Sequence, residues 1–164
     1  MSSTESMVSS DKEKYMRTAL ELARQAAGEG EIPVGCVVVG PEGEILGTGR
    51  NRREAGCDAT AHAEIEAIRE ACRHVGDWRL EGCALYVTLE PCPMCAGAVI
   101  NARIPVVVFG AREEKSGSCG SVIDLFSENY GFRPKVYGGI LGDECAAELR
   151  GYFRQLREKN EQER

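Results

Sequence analysis

The sequences AHAEIEAI (residues 61–68) and LEPCPMCAGA (residues 89–98) decide how this chain folds and what it can bind. They contain His62, Glu64, Cys92 and Cys95. One histidine and two cysteines form a three-ligand set for zinc, which leaves the fourth tetrahedral position free for water. Zinc lowers the pKa of a bound water to about 7, so that water becomes a nucleophile. We therefore interpret His62, Cys92 and Cys95 as ligands of one zinc per chain, and Glu64 as the catalytic proton carrier.

Two other interpretations of the cysteines remain open from the residues alone. A C-x-x-C pair in a reducing compartment can be a thioredoxin-like redox pair. The two cysteines can also form half of a closed structural zinc site. The prolines on both sides of Cys92 and the position of Glu64 two residues after His62 favour catalytic zinc.

The histidine is predicted to lie at the start of a helix. Thr60 is the predicted N-cap, and apolar residues then follow at helical spacing. His62 and Glu64 therefore belong to the first turn, where both can reach a site at the helix end.

The cysteines are predicted to lie at the start of a second helix. Residues 84–89 form a predicted strand that runs directly into the cysteine motif. Pro93 suits the first position of a helix, and Cys92 and Cys95 then share one face of its first turn. Two helix starts are therefore expected to converge on one metal.

The rest of the chain alternates helix and strand signals. Ser10 and Glu13 fit a capping box for a first helix that ends at Gly28. This order predicts an α/β fold with helices on both faces of a mixed sheet. The other predicted elements are strands at residues 33–39, 45–50, 105–110 and 135–140, a short helical stretch near residues 122–126, and a last helix from Asp143.

The length of 164 residues indicates one domain with a single core. We expect residues 11–160 to form it and residues 1–10 to be a flexible N-terminus. No apolar run reaches membrane-spanning length, and the polar start is unlike a secretory signal. We therefore expect a cytoplasmic protein without a membrane partner.

The eight cysteines are expected to be reduced, because no export signal is evident. Cys57 and Cys119 lie in glycine-containing loops and are predicted to be exposed. The predicted core cysteines, which have apolar or helical neighbours, are Cys36, Cys72, Cys83 and Cys145.

The formal net charge of −6 argues against nucleic-acid binding by the whole surface. A local basic surface is still available. Arg154 and Arg157 on the last helix, with Lys115 in a loop, are the candidates for phosphate contacts. The alternative is an ordinary solvated surface, because glutamates alternate with cations in the tail.

Longer strings within the chain carry a family resemblance. Residues 62–65 (HAEI), 86–98 (YVTLEPCPMCAGA) and 107–111 (VVFGA) closely resemble the bacterial tRNA-specific adenosine deaminases. The likeness covers the chain from about residue 11 to residue 159. The H-x-E and P-C-x-x-C signature is typical of the wider cytidine deaminase-like superfamily. The resemblance implies a three-layer α/β/α fold with a mixed five-stranded sheet.

The resemblance also implies a reaction and its partners. Members of the family convert adenosine to inosine at the wobble position of a tRNA anticodon loop, with the base splayed out into the pocket. The expected partners are the tRNA anticodon stem-loop and a second copy of the chain in a homodimer. The expected substrate-binding residues are Asn51, Ala63, Glu113, Lys115 and Arg154.

The chain departs from the family at three places. Ala59 stands where proline is common, Glu113 stands where aspartate is usual, and Gly131-Phe132 stand where Asn-His is frequent. The last change, with the acidic balance, favours a guanine-deaminase-like enzyme acting on a free purine. The residues around Lys115 and the arginines of the last helix favour tRNA. A non-catalytic, zinc-stabilised RNA-binding subunit is a third hypothesis, against which Glu64 counts.

Overall fold

The structure is a computed structural model that describes residues 3–164, with side chains described from residue 11 onward. Within that part, no helix is long and apolar enough to cross a membrane. The elements follow the predicted order: α1 (Ser3–Gly28), β1 (Gly35–Val39), β2 (Ile45–Arg50), α2 (Ala63–Val75), β3 (Ala84–Leu89), α3 (Pro93–Ala102), β4 (Val106–Ala111), a 3₁₀ turn (Leu125–Ser127), β5 (Lys135–Tyr137) and α4 (Gly142–Gln162).

The strands form one five-stranded mixed sheet in the order β2-β1-β3-β4-β5. β1 pairs antiparallel with β2 and β3, whereas β3 with β4 and β4 with β5 are parallel pairs. α3 is the crossover that joins the parallel strands β3 and β4. The carboxyl ends of these two strands lie side by side, because Leu89 pairs with Ala111. The residues that follow β3 and β4 therefore leave the sheet at its carboxyl-terminal end, where α/β proteins commonly bind ligands.

Helices cover both faces of the sheet, so its central strands are apolar on both sides. In β1, Cys36 and Val38 pack into the core that α2 and α3 cover. Val37 and Val39 point to the opposite face and pack into the core beneath α1 and α4. The predicted three-layer α/β/α fold is confirmed.

α2 lies close against β2 because two glycines face it. A Cβ on Gly47 or Gly49 would collide with the backbone of α2. At Gly49 the collision would be with the carbonyl oxygen of Ala63, in the first helical turn. These glycines therefore set the depth at which that turn sits on the sheet.

The first helix starts earlier than the sequence predicts. α1 extends back to Ser3, so Ser10 lies inside the helix and the capping-box interpretation is wrong. Residues 3–9 contain neither glycine nor proline that would stop the helix. Residues 1–2 lie outside the described part, and the flexible N-terminus at residues 1–10 stays a prediction.

Two other element boundaries differ from the prediction. The Thr60 hydroxyl donates to Asp58 Oδ1 at 2.7 Å, and α2 begins at Ala63, so Thr60 is not the N-cap. β5 ends at Tyr137 instead of residue 140, since Gly139 has a φ of 86° that a strand cannot continue.

All eight cysteines lie within the described residues and are free thiols. The predicted core cysteines are buried, except for Cys72, which is partly exposed. Cys57 is exposed as predicted, whereas Cys119 is partly buried.

Candidate active site

The three predicted zinc ligands meet at the end of β3. His62 Nδ1 lies 3.6 Å from Cys92 Sγ and 3.5 Å from Cys95 Sγ. The ligand atoms of all three residues lie within 4.8 Å of one another. In a tetrahedral site with Zn–N of about 2.0 Å and Zn–S of about 2.3 Å, neighbouring ligand atoms are about 3.5 Å apart. The three side chains therefore fit one zinc ion.

Two helix starts bring these ligands together, as the sequence predicts. His62 is the N-cap residue of α2, and Cys92 is the N-cap residue of α3. Pro93 follows Cys92 in the first turn, where a missing backbone N–H has no helical partner to lose. Cys95 lies in the same turn and is fully buried. The N-terminal ends of both helices favour negative charge, which suits thiolate ligands.

Hydrogen bonds among the ligands favour a thiolate at Cys92. The hydrogen bond with Cys95, opposed by burial and assisted by His62, lowers the pKa of the Cys92 thiol to about 4. The same hydrogen bond, together with burial, raises the pKa of Cys95. The two sulfurs thus share one proton, and ligation of a metal requires that it leave.

Glu64 lies beside the ligands without belonging to their group. Its side chain is 4% exposed, and burial raises the pKa of the carboxyl group. The neighbouring Cys95 thiol acts in the opposite direction on this pKa but does not outweigh burial. Because Glu64 also lines the cleft above the ligands, it can exchange a proton with a molecule bound there.

A cleft of about 660 Å³ opens over the ligands, and a site of this size accepts a small organic molecule. Cys95 lies beneath its floor. The predicted site residues that line the cleft are Asn51, His62, Ala63, Glu64, Cys92, Glu113 and Lys115. The residues that prediction missed include Arg53, Glu90, Arg112, Arg150 and Phe153.

Asn51 is buried and held in one orientation by the backbone. Its Nδ2 donates to the carbonyl oxygen of Ile32 at 3.4 Å, and its Oδ1 accepts from the backbone N–H of Arg53 at 3.2 Å. The buried carboxylate of Glu31 fixes the same loop, because it accepts from two N–H groups in residues 54–55 at 2.9 Å each. This wall of the cleft is therefore rigidly connected to the core.

Glu90 holds the opposite wall. It is 2% exposed and accepts hydrogen bonds from the backbone of Glu113, Cys119 and Ser121, and from the Ser121 hydroxyl. Burial alone would raise the pKa of Glu90, but these hydrogen bonds outweigh it and lower the pKa. An acidic residue at the end of an apolar strand is the sequence signal that would have found it.

Arg154 does not lie in the cleft with Asn51 and Glu64. It lines a second cleft of about 530 Å³, together with Arg157. Lys115 lines both clefts, as do Leu149, Arg150 and Phe153, so the two are continuous. Phe153 in this second cleft is 39% exposed, because α4 is buried only near Cys145.

The three departures from the family have different positions. Glu113 lines the first cleft and accepts a hydrogen bond from the backbone N–H of Lys115 at 3.0 Å. Gly131 and Phe132 are not among the residues that line either cleft, and the guanidinium of Arg103 lies 5.8 Å from the centre of the Phe132 ring. Ala59 is exposed in the loop before α2. Only the change at Glu113 reaches the candidate site.

The chain is similar to proteins of known family. The model of the cytidine and deoxycytidylate deaminase zinc-binding region matches residues 9–111. The tRNA-specific adenosine deaminase of Bacillus subtilis is 47% identical over 90% of this chain and 91% of that protein. A tRNA(Ile)-lysidine synthase of Deinococcus deserti is 49% identical over 88% of this chain, but the chain spans only 27% of that longer protein.

Solved structures give the same picture. One from studies of A-to-I editing by tRNA:A34 deaminases at the wobble position of transfer RNA has a TM-score of 0.79 and 42% identity, over 83% of this chain and 99% of that chain. The guanine deaminase of Nitrosomonas europaea has a TM-score of 0.76 and 28% identity, over 85% and 83%. The fold and the His-Cys-Cys group thus define a zinc-binding deaminase. Within that class, the chain belongs to the tRNA-specific adenosine deaminase family, which confirms the resemblance.

Proposed function

We propose that the protein hydrolyses adenosine to inosine at the wobble position of a tRNA anticodon loop. The observation that carries the proposal is the placement of Glu64 beside the zinc-ligand group at the floor of a cleft whose walls include Lys115 and several arginines as well as carboxylates. The relatives of known activity support the choice of adenosine in tRNA. The third hypothesis, a non-catalytic subunit, gives no reason to bury a carboxyl group at this floor.

His62, Cys92 and Cys95 would hold the zinc ion. Zinc supplies a water that is acidic enough to act as a nucleophile near neutral pH. Glu64 would accept one proton from water as the water oxygen bonds to C6 of adenine, and it would return that proton to the exocyclic nitrogen as the C6–N bond breaks; the other water proton ends on N1 of the ring. Water is consumed, ammonia leaves and the product base is hypoxanthine.

The walls provide the substrate contacts that we assign. Asn51 presents an oriented amide to the nucleoside, and Ala63 leaves space beside it for the flat base. Glu113 lies where the sugar of an extruded nucleotide would pass. Lys115 and Arg154 line the continuous clefts, so they are placed to meet phosphates on the two sides of the target base.

The partner and the location belong to the same proposal. The family resemblance supports a homodimer in the cytoplasm that acts on the tRNA anticodon stem-loop. Light scattering of the purified protein measures the first point directly, and a monomer at micromolar concentration would refute it.

An ammonia-release assay tests the substrate. Equal concentrations of an anticodon stem-loop RNA, guanine, adenosine and cytosine are compared, and we expect the RNA to be the preferred substrate. Preference for guanine would select the alternative of a free-purine deaminase, whose relatives share this fold.

Glu64→Gln tests the proton carrier. The amide keeps the shape but cannot carry a proton, so turnover should fall roughly 100- to 10,000-fold, as is typical of general acid–base groups. Zinc content and melting temperature should stay near those of the wild type. Near-normal turnover in this variant would refute the assigned role.

A further inference from the structure

Glu90 is a buried carboxylate to which the proposed reaction assigns no role. Glu90 follows β3 directly and precedes the zinc ligand Cys92 by two residues. Its oxygens accept from the backbone N–H groups of Glu113 at 3.2 Å, Cys119 at 3.0 Å and Ser121 at 3.1 Å. The Ser121 hydroxyl donates to the same carboxylate. One side chain thus satisfies donors spread over the whole segment of residues 113–121.

The backbone next to Glu90 binds the same segment. The N–H of Ser118 donates to the carbonyl oxygen of Pro91 at 2.8 Å. Within the segment, the N–H of Gly117 donates to the carbonyl oxygen of Glu113, also at 2.8 Å. A Cβ on Gly117 would collide with the Glu90 carboxylate. The segment is therefore wrapped closely around the two residues that precede Cys92.

This segment, together with Arg112 before it, forms one wall of the first cleft, which carries two cations and two carboxylates. Arg112 directly precedes the segment, Lys115 lies near its start, and Lys115 also lines the second cleft. The segment contains no helix, and its one bridge joins Cys119 to Asp124, so regular structure does not hold the wall in place. The carboxylate of Glu90 ties it to the strand end that carries the zinc ligand.

We infer that Glu90 is a positioning residue that keeps the wall of residues 112–121 in register with the zinc-ligand group. The wall meets the RNA strand on either side of the target base, so its register governs substrate binding. The chemistry at the cleft floor depends on Glu64 and the zinc ligands instead. The inference rests on the proposed function for its substrate, but the hydrogen bonds that it concerns belong to the protein alone.

Glu90→Gln tests this role. The amide nitrogen cannot accept a hydrogen bond, so part of the set is lost and two donors are brought face to face. A hydrogen bond to a charged group contributes a factor of about ten or more to an equilibrium constant. We therefore expect roughly a tenfold rise in KM for an anticodon stem-loop RNA, with kcat and zinc content unchanged. Hydrogen–deuterium exchange of residues 113–121 should become faster.

A matched control and a second variant complete the experiment. Asp77 Oδ1 accepts the backbone N–H of Arg79 at 2.9 Å in a turn remote from both clefts, so Asp77→Asn should change neither KM nor exchange in the segment. Ser121→Ala keeps the carboxylate and removes one donor, so it should give a smaller rise in KM than Glu90→Gln. It replaces Glu90→Gln as the test if that variant does not fold.

Three outcomes would overturn the inference: loss of zinc in Glu90→Gln, a fall in kcat at unchanged KM, or exchange equal to that of the wild type. Failure of the wild type to act on the RNA is a separate result. It would refute the proposed function, whereas the exchange measurement would still decide the role of Glu90.

Discussion

Gly49→Ala should displace the helix start that carries His62 and Glu64. An added Cβ would collide with the carbonyl oxygen of Ala63 and lie 2.8 Å from the backbone nitrogen of Ala67. Both atoms belong to the backbone of α2, so no side chain can rotate away. Carbon atoms pack at about 3.5–4.0 Å, and α2 must therefore move away from β2 by about 1 Å.

Overpacking of a close-packed core costs about 1–3 kcal/mol. For a protein of this length, each kcal/mol corresponds to a fall in melting temperature of roughly 2–4 °C. A displacement of about 1 Å at a catalytic group can lower the rate by roughly 100-fold. We therefore expect both a lower melting temperature and a lower kcat, because Ala63 lies between His62 and Glu64 in the chain.

Gly151→Ala is a matched control that should change stability in the opposite direction. Gly151 lies within α4, and a Cβ there would meet nothing within 4 Å. Alanine should stabilise this helix by about 0.5–1 kcal/mol, since glycine loses more backbone freedom on folding. Urea unfolding of the three proteins tests the pair. Equal stability of Gly49→Ala and wild type, or destabilisation by Gly151→Ala, would refute the packing argument.

Two further predictions concern zinc and RNA. Cys95→Ala should lose the zinc ion, because removal of one of only three protein ligands greatly weakens metal binding. Cys57→Ala, at an exposed site, should keep the zinc ion, and mass spectrometry of metal content measures both variants. Lys115→Ala and Arg154→Ala should weaken RNA binding and should each reduce the slope of log affinity against log salt by close to one unit. Lys159→Ala, on the same helix as Arg154 but not lining either cleft, should change the slope little, and equal slopes in all three variants would contradict the assigned contacts.

The grouping of the three candidate zinc ligands could be predicted because the position of each depends on local sequence. Each lies within a few residues of a helix start, and the prolines beside Cys92 mark one of those starts in the sequence. The sequence did not reveal how His62 reaches the helix end. Thr60 is a good N-cap residue by type, but its hydroxyl bonds to Asp58, and the ligand itself takes the N-cap position. A side chain–side chain contact in a loop overrides the intrinsic capping preference.

The order of the strands in the sheet could not be predicted from the sequence pattern. The turn at residues 41–44 predicts that β1 and β2 form a hairpin, which is confirmed, yet the pattern does not say that β1 also pairs with β3. That pairing joins residues far apart in the chain. It also brings Asn51, at the end of β2, to the same cleft as residues that follow β4.

The walls of the two clefts were the least predictable part of the site. Their positions depend on contacts of irregular segments, which produce no periodic pattern in the sequence. Lys115 reaches both clefts only because Glu90 and the backbone beside it hold residues 113–121. Arg154 lies in the outer cleft because α4 runs past the sheet. A free purine needs only the first cleft, whereas an RNA strand that inserts one base must also occupy the second. Relatives can therefore keep the residues of the cleft floor and their chemistry while the wall residues change. Substrate choice then depends on the walls, whose sequence shows no periodic pattern.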